Sequence, residues 1–284
     1  MRIIFHAGTP KTGTTALQNF LHNHREHLLE HGVLYPRAGI AQPPAYKHQW
    51  IVGNLMKDTA DDFSTMMDAV FAEARPDTHT ILLSTEGLFH RWWDYSPAGL
   101  QALATLAARF PVELWAFFRE PVAFTRSFYI QMLKNPHGLG PCYGLDVSLQ
   151  ELLDEPRFAI HLDYIGYIRA VEAVLGAGKV RPFPYHGHTV ADILQALAIA
   201  DLDPEKSQEN RTVGEFGVAL LRQINRQQLD VEQKWRAVKL INDLDTLIDG
   251  YKTPLQLDQT VLDRIHELAA DSMECLRREY GILL

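Results

Sequence analysis

The chain has 284 residues, 46% hydrophobic and 22% charged, with a formal net charge of −8. That length can bury one sizeable core and the composition is that of a globular enzyme, so a single domain spanning 1–284 is expected. The acidic balance excludes the basic face of a non-specific nucleic-acid binder, and the absence of an apolar run of about 18 residues excludes a membrane-spanning helix. With two cysteines, Cys142 and Cys275, a disulfide framework is not expected. Entry into a strand at the N-terminus leaves no room for a signal peptide, so a cytoplasmic location is expected.

From the amino end, Arg2 to Phe5 reads as a short strand. A helix opens near Thr14 and places Leu17, Phe20, Leu21 and Leu28 on one face by helical spacing. Between them, within FHAGTPKTGTTALQNFL from Phe5 to Leu21, lies a Gly-Thr-rich turn holding one lysine. A strand–loop–helix unit of this kind aims backbone N–H groups and the positive end of a helix dipole at one spot, which suits an anion. Lys11 adds a full charge there, and Thr14 and Thr15 add hydroxyl donors. The nucleoside-triphosphate loop carries its lysine directly after the second glycine. Here Gly8 and Gly13 keep the glycine spacing, Thr14 takes the lysine's place, and the lysine stands at position 11 after Pro10. The stretch TPKTGTTAL resembles the 5′-phosphosulfate loop of sulfotransferases that use 3′-phosphoadenosine 5′-phosphosulfate (PAPS). The resemblance implies that Pro10, Lys11, Thr12, Gly13, Thr14 and Thr15 hold the phosphosulfate. The bland reading of the same residues is a glycine-rich turn with no ligand.

His22, His24, His27 and His31 crowd the first helix, and His27 and His31 have i,i+4 spacing. With no cysteine or third ligand defined beside them, they read as a solvated helix face and no metal is expected. His48 follows in AYKHQW, within a polar, Pro-rich loop, and is a candidate catalytic base because its ordinary pKa suits proton transfer; otherwise it is an exposed loop histidine. A helix is expected over Asp61 to Glu73 and a buried strand over Thr80 to Ser84. Glu86 then emerges on the same rim as Lys11. Glycosaminoglycan-type sulfotransferases resemble this in using a glutamate base, which makes Glu86 the first candidate; it could instead cap the next helix. Trp92, Trp93 and Tyr95 could stack on a sugar or pack in the core.

A helix from Pro97 through Ala108 leads to the apolar strand Val112 to Phe118, closed by Arg119. Pro121 suits the first turn of the helix after it. This segment, FFREPVAFTRSFYIQMLK, resembles the sulfotransferase 3′-phosphate segment: an arginine at the strand end, then proline, and a serine eight positions after the arginine. The resemblance implies that Arg119 and Ser127 hold the 3′-phosphate of PAPS, a guanidinium fork and a hydroxyl on the same phosphate. Asn135 to Asp146 is a Gly/Pro-rich loop, a lid or a simple connection.

The stretches His161 to Tyr185 and Asn210 to Arg226 resemble bacterial sulfotransferases more loosely, the first as helix, Gly turn and strand. From Thr189 onward the pattern is almost wholly helical; Leu220, Leu221 and Ile224, then Val238, Ile241, Leu244 and Leu247, repeat at core spacing. Alternating strands and helices predict an α/β, P-loop-like three-layer domain with a central parallel sheet and a mostly helical C-terminal third. The function implied is sulfuryl transfer from PAPS to a hydroxyl or amine of a small-molecule or saccharide acceptor. Lys11 would be catalytic with Glu86 or His48, and no metal is expected because PAPS lacks the triphosphate that demands magnesium. A nucleotide-dependent kinase with a shifted lysine, or a non-catalytic nucleotide- or glycan-binding homologue, are the competing readings.

Overall fold

The computed structural model describes residues 1–43, 45–204, 213–227, 229–247 and 253–284. In chain order, β1 (Arg2–Gly8) passes through the lysine loop into α1 (Thr14–Asn23), followed by α2 (Arg25–Glu30), β2 (Val33–Leu34), α3 (Trp50–Leu55) and α4 (Asp61–Ala72). Next come β3 (Thr80–Ser84), α5 (Gly87–His90), α6 (Pro97–Arg109), β4 (Val112–Phe118) and α7 (Pro121–Lys134). Short α8 (Leu149–Leu153) and α9 (Pro156–Ala159) precede α10 (Tyr164–Leu175), β5 (Val180–Pro184) and α11 (Thr189–Ala196). The C-terminal helices are α12 (Glu215–Asn225), α13 (Val231–Leu247) and α14 (Gln259–Tyr280).

Two compact units gather these elements: Met1–Arg119, Ile165–Glu209 and Arg278–Leu284 in one, Glu120–Tyr164 and Asn210–Arg277 in the other. The first unit holds a five-stranded sheet of order β2-β3-β1-β4-β5, every pairing parallel. The chain is therefore an α/β protein with a parallel sheet flanked by helices, as expected. A parallel sheet covered on both faces needs strands apolar throughout, and β1 is buried from Ile3 to Gly8. On one face Ile4, Leu82, Trp115 and Phe117 pack against Leu17, Phe20, Leu21 and Leu28 and against Ile193 and Leu194 of α11. The first helix is shorter than the apolar pattern suggests. It breaks at His24, with φ −103°, yet α2 returns Leu28 to the same core. Two-residue β2 is too short to show alternation. The prolines of β5, Pro182 and Pro184, pair opposite Ala116 and Phe118 on the outermost strand, where a missing donor is tolerated.

Beside the sheet, Trp92 and Tyr95 meet edge to face at 5.7 Å, and the Tyr95 hydroxyl donates to the Gly87 carbonyl at 3.0 Å. Both are buried, so they are core residues here, while Trp93 is half-buried. In α6 the Ser96 hydroxyl caps the Gly99 amide at 2.9 Å, with Pro97 at the first position.

The second unit is helical. Glu120 caps α7, its carboxylate accepting the amides of Val122 and Ala123 at 2.8 and 2.7 Å. The 135–146 loop is tied at its C-terminal end: Arg222 and Arg226 of α12 reach Asp146, and Asn225 Nδ2 donates to the Leu145 carbonyl at 3.0 Å. Lys234 of α13 is buried and donates to the Leu133 carbonyl at 2.8 Å. Leu221, Val238 and Ile241 are buried as their spacing predicts, but Leu247, on the last turn of α13, is 79% exposed and is not a core residue. Asn210 to Thr212 of the looser resemblance lie outside the described residues.

Two glycines test the packing in opposite directions. A Cβ at Gly99 would meet the Leu55 carbonyl oxygen at 2.1 Å, whereas one at Gly53 in α3 meets nothing within 4 Å. Gly99→Ala is expected to lower stability by about 1–3 kcal/mol through overpacking. Gly53→Ala is expected to raise it by about 0.5–1 kcal/mol through helix propensity. Urea midpoints at unchanged slope would measure both.

Candidate functional site

Three adjacent parallel strands bring the candidate residues to one rim of the first unit. His6 pairs with Ser84 and Gly8 with Phe117, so the lysine loop after β1, Glu86 after β3 and Arg119 after β4 all leave the carboxyl edge of the sheet. The chain leaves β1 towards β2 on one side and leaves β4 towards β5 on the other. The crevice beside β1 and β4 is thus a topological switch point, the usual place for ligands in open α/β sheets.

Lys11 has φ 69°, a left-handed conformation that costs a non-glycine residue about 1–2 kcal/mol. Gly13, at φ 72°, takes the same conformation at the start of α1 without that penalty. Protein donors meet the loop's carbonyls: Thr12 Oγ1 donates to Thr9 O at 2.8 Å, Thr189 Oγ1 to Thr12 O at 2.8 Å, and Arg119 Nη1 to Lys11 O at 3.4 Å. The Thr9 amide in turn donates to Phe117 O at 2.9 Å. Among the described residues no protein acceptor takes the amides of Lys11, Thr12 or Gly13, and no side chain caps α1. Carbonyls tied inward with amides left open make a loop whose free electrostatic face is positive. Thr12 is itself fully buried, so its hydroxyl supports the loop, while Thr15 is half-buried.

The Lys11 side chain reaches the surface, but surrounding protein lowers its pKa below the ordinary lysine value; Glu86 opposes the shift and Arg119 adds to it. The lysine is thus within the electrostatic reach of both groups. The Arg119 guanidinium also lies 5.7 Å from the Tyr185 ring centroid, and the Tyr185 amide donates to Phe118 O at 2.8 Å. Ser127 is half-buried on α7 in the other unit.

Glu86 is held by two residues that sequence reasoning missed. Lys47 Nζ meets Oε1 at 2.9 Å, and Gln18 Nε2 donates to Oε2 at 3.3 Å. Burial by itself would raise the Glu86 pKa, but the charge and hydrogen bond of Lys47 outweigh it and hold the carboxyl below its ordinary value. Behind it, Ser84 Oγ bridges Gln18 Nε2 at 3.1 Å and His6 Nδ1 at 2.8 Å. His6 is fully buried, which pushes its pKa down to about 4 and keeps the ring neutral. Helical spacing could have indicated Gln18, one turn after Thr14. Lys47 carries the weaker signal of adjoining His48.

His48 is neither an exposed loop residue nor placed to take a proton. It is fully buried, its Nδ1 accepts from the Ser84 amide at 3.1 Å, and its Nε2 donates to the Pro36 carbonyl at 3.0 Å. With both ring nitrogens engaged by backbone, it pins its loop to the end of β3. Burial lowers its pKa to about 4, which keeps it neutral in that role.

No protein-family model matches this chain, and no curated protein matches it. Among solved structures it is similar to a sulfotransferase from Alicyclobacillus acidocaldarius, at 16% identity over 84% of this chain and 95% of that one, with a TM-score of 0.42.

Proposed function

We propose that the chain is a PAPS-dependent sulfotransferase that transfers a sulfuryl group to a hydroxyl or amine of a small-molecule or saccharide acceptor. One observation carries the reading: a lysine strained into the left-handed region, in a loop with open amides, beside an arginine from the neighbouring strand. Strain of this kind is retained where it serves a site. A kinase loop places its lysine after the second glycine, where this chain has Thr14.

In this reading Lys11, with Pro10, Gly13, Thr14, Thr15 and the loop amides, holds the 5′-phosphosulfate, and Arg119 and Ser127 hold the 3′-phosphate. PAPS supplies a sulfuryl group bonded to a phosphate oxygen; that S–O bond breaks as a new S–O bond to a hydroxyl, or S–N bond to an amine, forms, leaving adenosine 3′,5′-bisphosphate. Lys11 and the open amides stabilise negative charge building on the phosphate side. Glu86 takes the proton that the acceptor loses, and Lys47 keeps that carboxylate ionised beforehand. The positive charge comes from Lys11, Arg119 and the loop amides, and no metal is assigned to the transfer.

Calorimetry is expected to show adenosine 3′,5′-bisphosphate binding without metal and more tightly than ATP; magnesium-dependent ATP turnover would overturn the reading in favour of a kinase. An acceptor screen by mass spectrometry then supplies the substrate for single-turnover rates. Lys11→Ala is expected to slow transfer about a hundredfold or more. Lys11→Gly should slow it equally while being more stable than Lys11→Ala by about 1 kcal/mol, because the left-handed strain is relieved.

The pH profile tests the acid–base pair. Glu86 must be ionised to accept a proton, so its lowered pKa keeps the acid limb of the rate below the ordinary carboxylate range. In Lys47→Met burial is left without the opposing charge, and the limb should move to higher pH. Glu86→Gln should abolish the limb along with most of the rate. A limb unmoved in Lys47→Met would remove Glu86 from the role of base.

A further inference from the structure

The i,i+4 histidines of the first helical stretch acquire in the folded chain the third ligand that the sequence did not show. His27 Nε2 lies 3.0 Å from Asp201 Oδ2, and His31 Nε2 lies 3.2 Å from Asp201 Oδ1. All three donor groups fall within 4.8 Å of one another. We propose that His27, His31 and Asp201 bind a divalent cation of the zinc class, with water completing its coordination. The site is independent of the PAPS reading and lies beyond the far end of α1 from the lysine loop.

The ring orientations carry the inference. His31 Nδ1 sits 3.0 Å from the His27 carbonyl oxygen, which can only accept, so Nδ1 holds the proton and Nε2 of the neutral ring presents a lone pair. His27 Nδ1 faces Glu30 Oε2 at 3.7 Å, which biases that ring the same way. A hydrogen bond or carboxylate at the remote nitrogen is the usual means of aiming an imidazole at a metal. Two lone pairs then face two carboxylate oxygens, an arrangement that repels unless a positive charge lies among them. Zinc ligands at about 2.0–2.1 Å in a tetrahedron stand about 3.3 Å from each other, close to the two nitrogen–oxygen spacings found here. Imidazole nitrogens with one carboxylate suit zinc, cobalt or nickel and not magnesium or calcium, which take oxygen ligands. His27 and His31 are half-buried and Asp201 is exposed, so an ion can enter and retain water. Bound there, the ion ties the end of α2 to the segment following α11.

The competing arrangement is a metal-free ion pair in which protons on both rings supply the charge. Untagged full-length chain, stripped with a chelator, is titrated with Co²⁺ while its visible ligand-field absorption is followed. The expected result is saturation at one equivalent, reversal by Zn²⁺, and a thermal midpoint raised by Zn²⁺. His31→Ala and the near-isosteric Asp201→Asn should each weaken Co²⁺ binding about a hundredfold or more. The chain has 13 histidines, so adventitious binding is the alternative to guard against. Saturable binding unchanged in both variants, or no saturable binding in the parent chain, would overturn the proposal.

Discussion

Holding Lys11 at φ 69° costs about 1–2 kcal/mol, and the loop meets that cost with hydrogen bonds to its own carbonyls. Thr12, Thr189 and Arg119 donate to the carbonyls of Thr9, Thr12 and Lys11 respectively, and the Thr9 amide anchors the start of the turn to β4. At roughly 0.5–1.5 kcal/mol net for each such bond, the set outweighs the strain. The consequence is chemical as well as conformational. With the carbonyls of Thr9, Lys11 and Thr12 engaged by the protein, those groups cannot turn towards a ligand, and the amides of Lys11, Thr12 and Gly13 and the lysine ammonium stay open to one. Arg119 takes part twice, as a brace for the Lys11 carbonyl and as a second cation at the same rim.

The carboxylate side of the rim is built on a different principle. Glu86 stands at the end of a buried strand, where an unpaired charge would be expensive, and Lys47 and Gln18 make it tolerable. The Lys47–Glu86 pair is about a quarter exposed, so solvent screening reduces what it adds to stability. Its larger effect is on protonation. Burial and the lysine act in opposite directions on the carboxyl, and the lysine prevails. The groups behind Glu86 are neutral: Ser84 joins Gln18 to His6, and His6 stays uncharged because it is buried. That neutrality leaves the balance at Glu86 to the residues on the open side.

Histidines occur in both polar clusters, and their positions decide what each one does. His6 and His48 are sealed within the sheet's edge and satisfy backbone or hydroxyl partners as neutral rings. His27 and His31 stand near the surface, with ring nitrogens turned towards a carboxylate from a distant part of the chain. Residue type and local spacing are alike for ligand, base and structural histidine. Burial and the partner of each nitrogen separate them.

Much of the first unit could be read along the chain. Thr80–Ser84 and Val112–Phe118 are apolar runs of strand length, and Gly-Thr-rich punctuation after Arg2–Phe5 marks the turn into α1, because local periodicity and turn chemistry act over a few residues. The emergence of Lys11, Glu86 and Arg119 at strand ends followed from the same alternation, since consecutive parallel strands must present the same edge. The order of the strands, the brace from Thr189 to the loop, the lysine partner of Glu86 and the burial of His48 depend on contacts between residues dozens of positions apart, up to 177 for Thr189 and Thr12. A side chain's chemistry is written in its type. Its protonation, its partner and the direction it faces belong to the packed chain, because those are set by dielectric and distance in space.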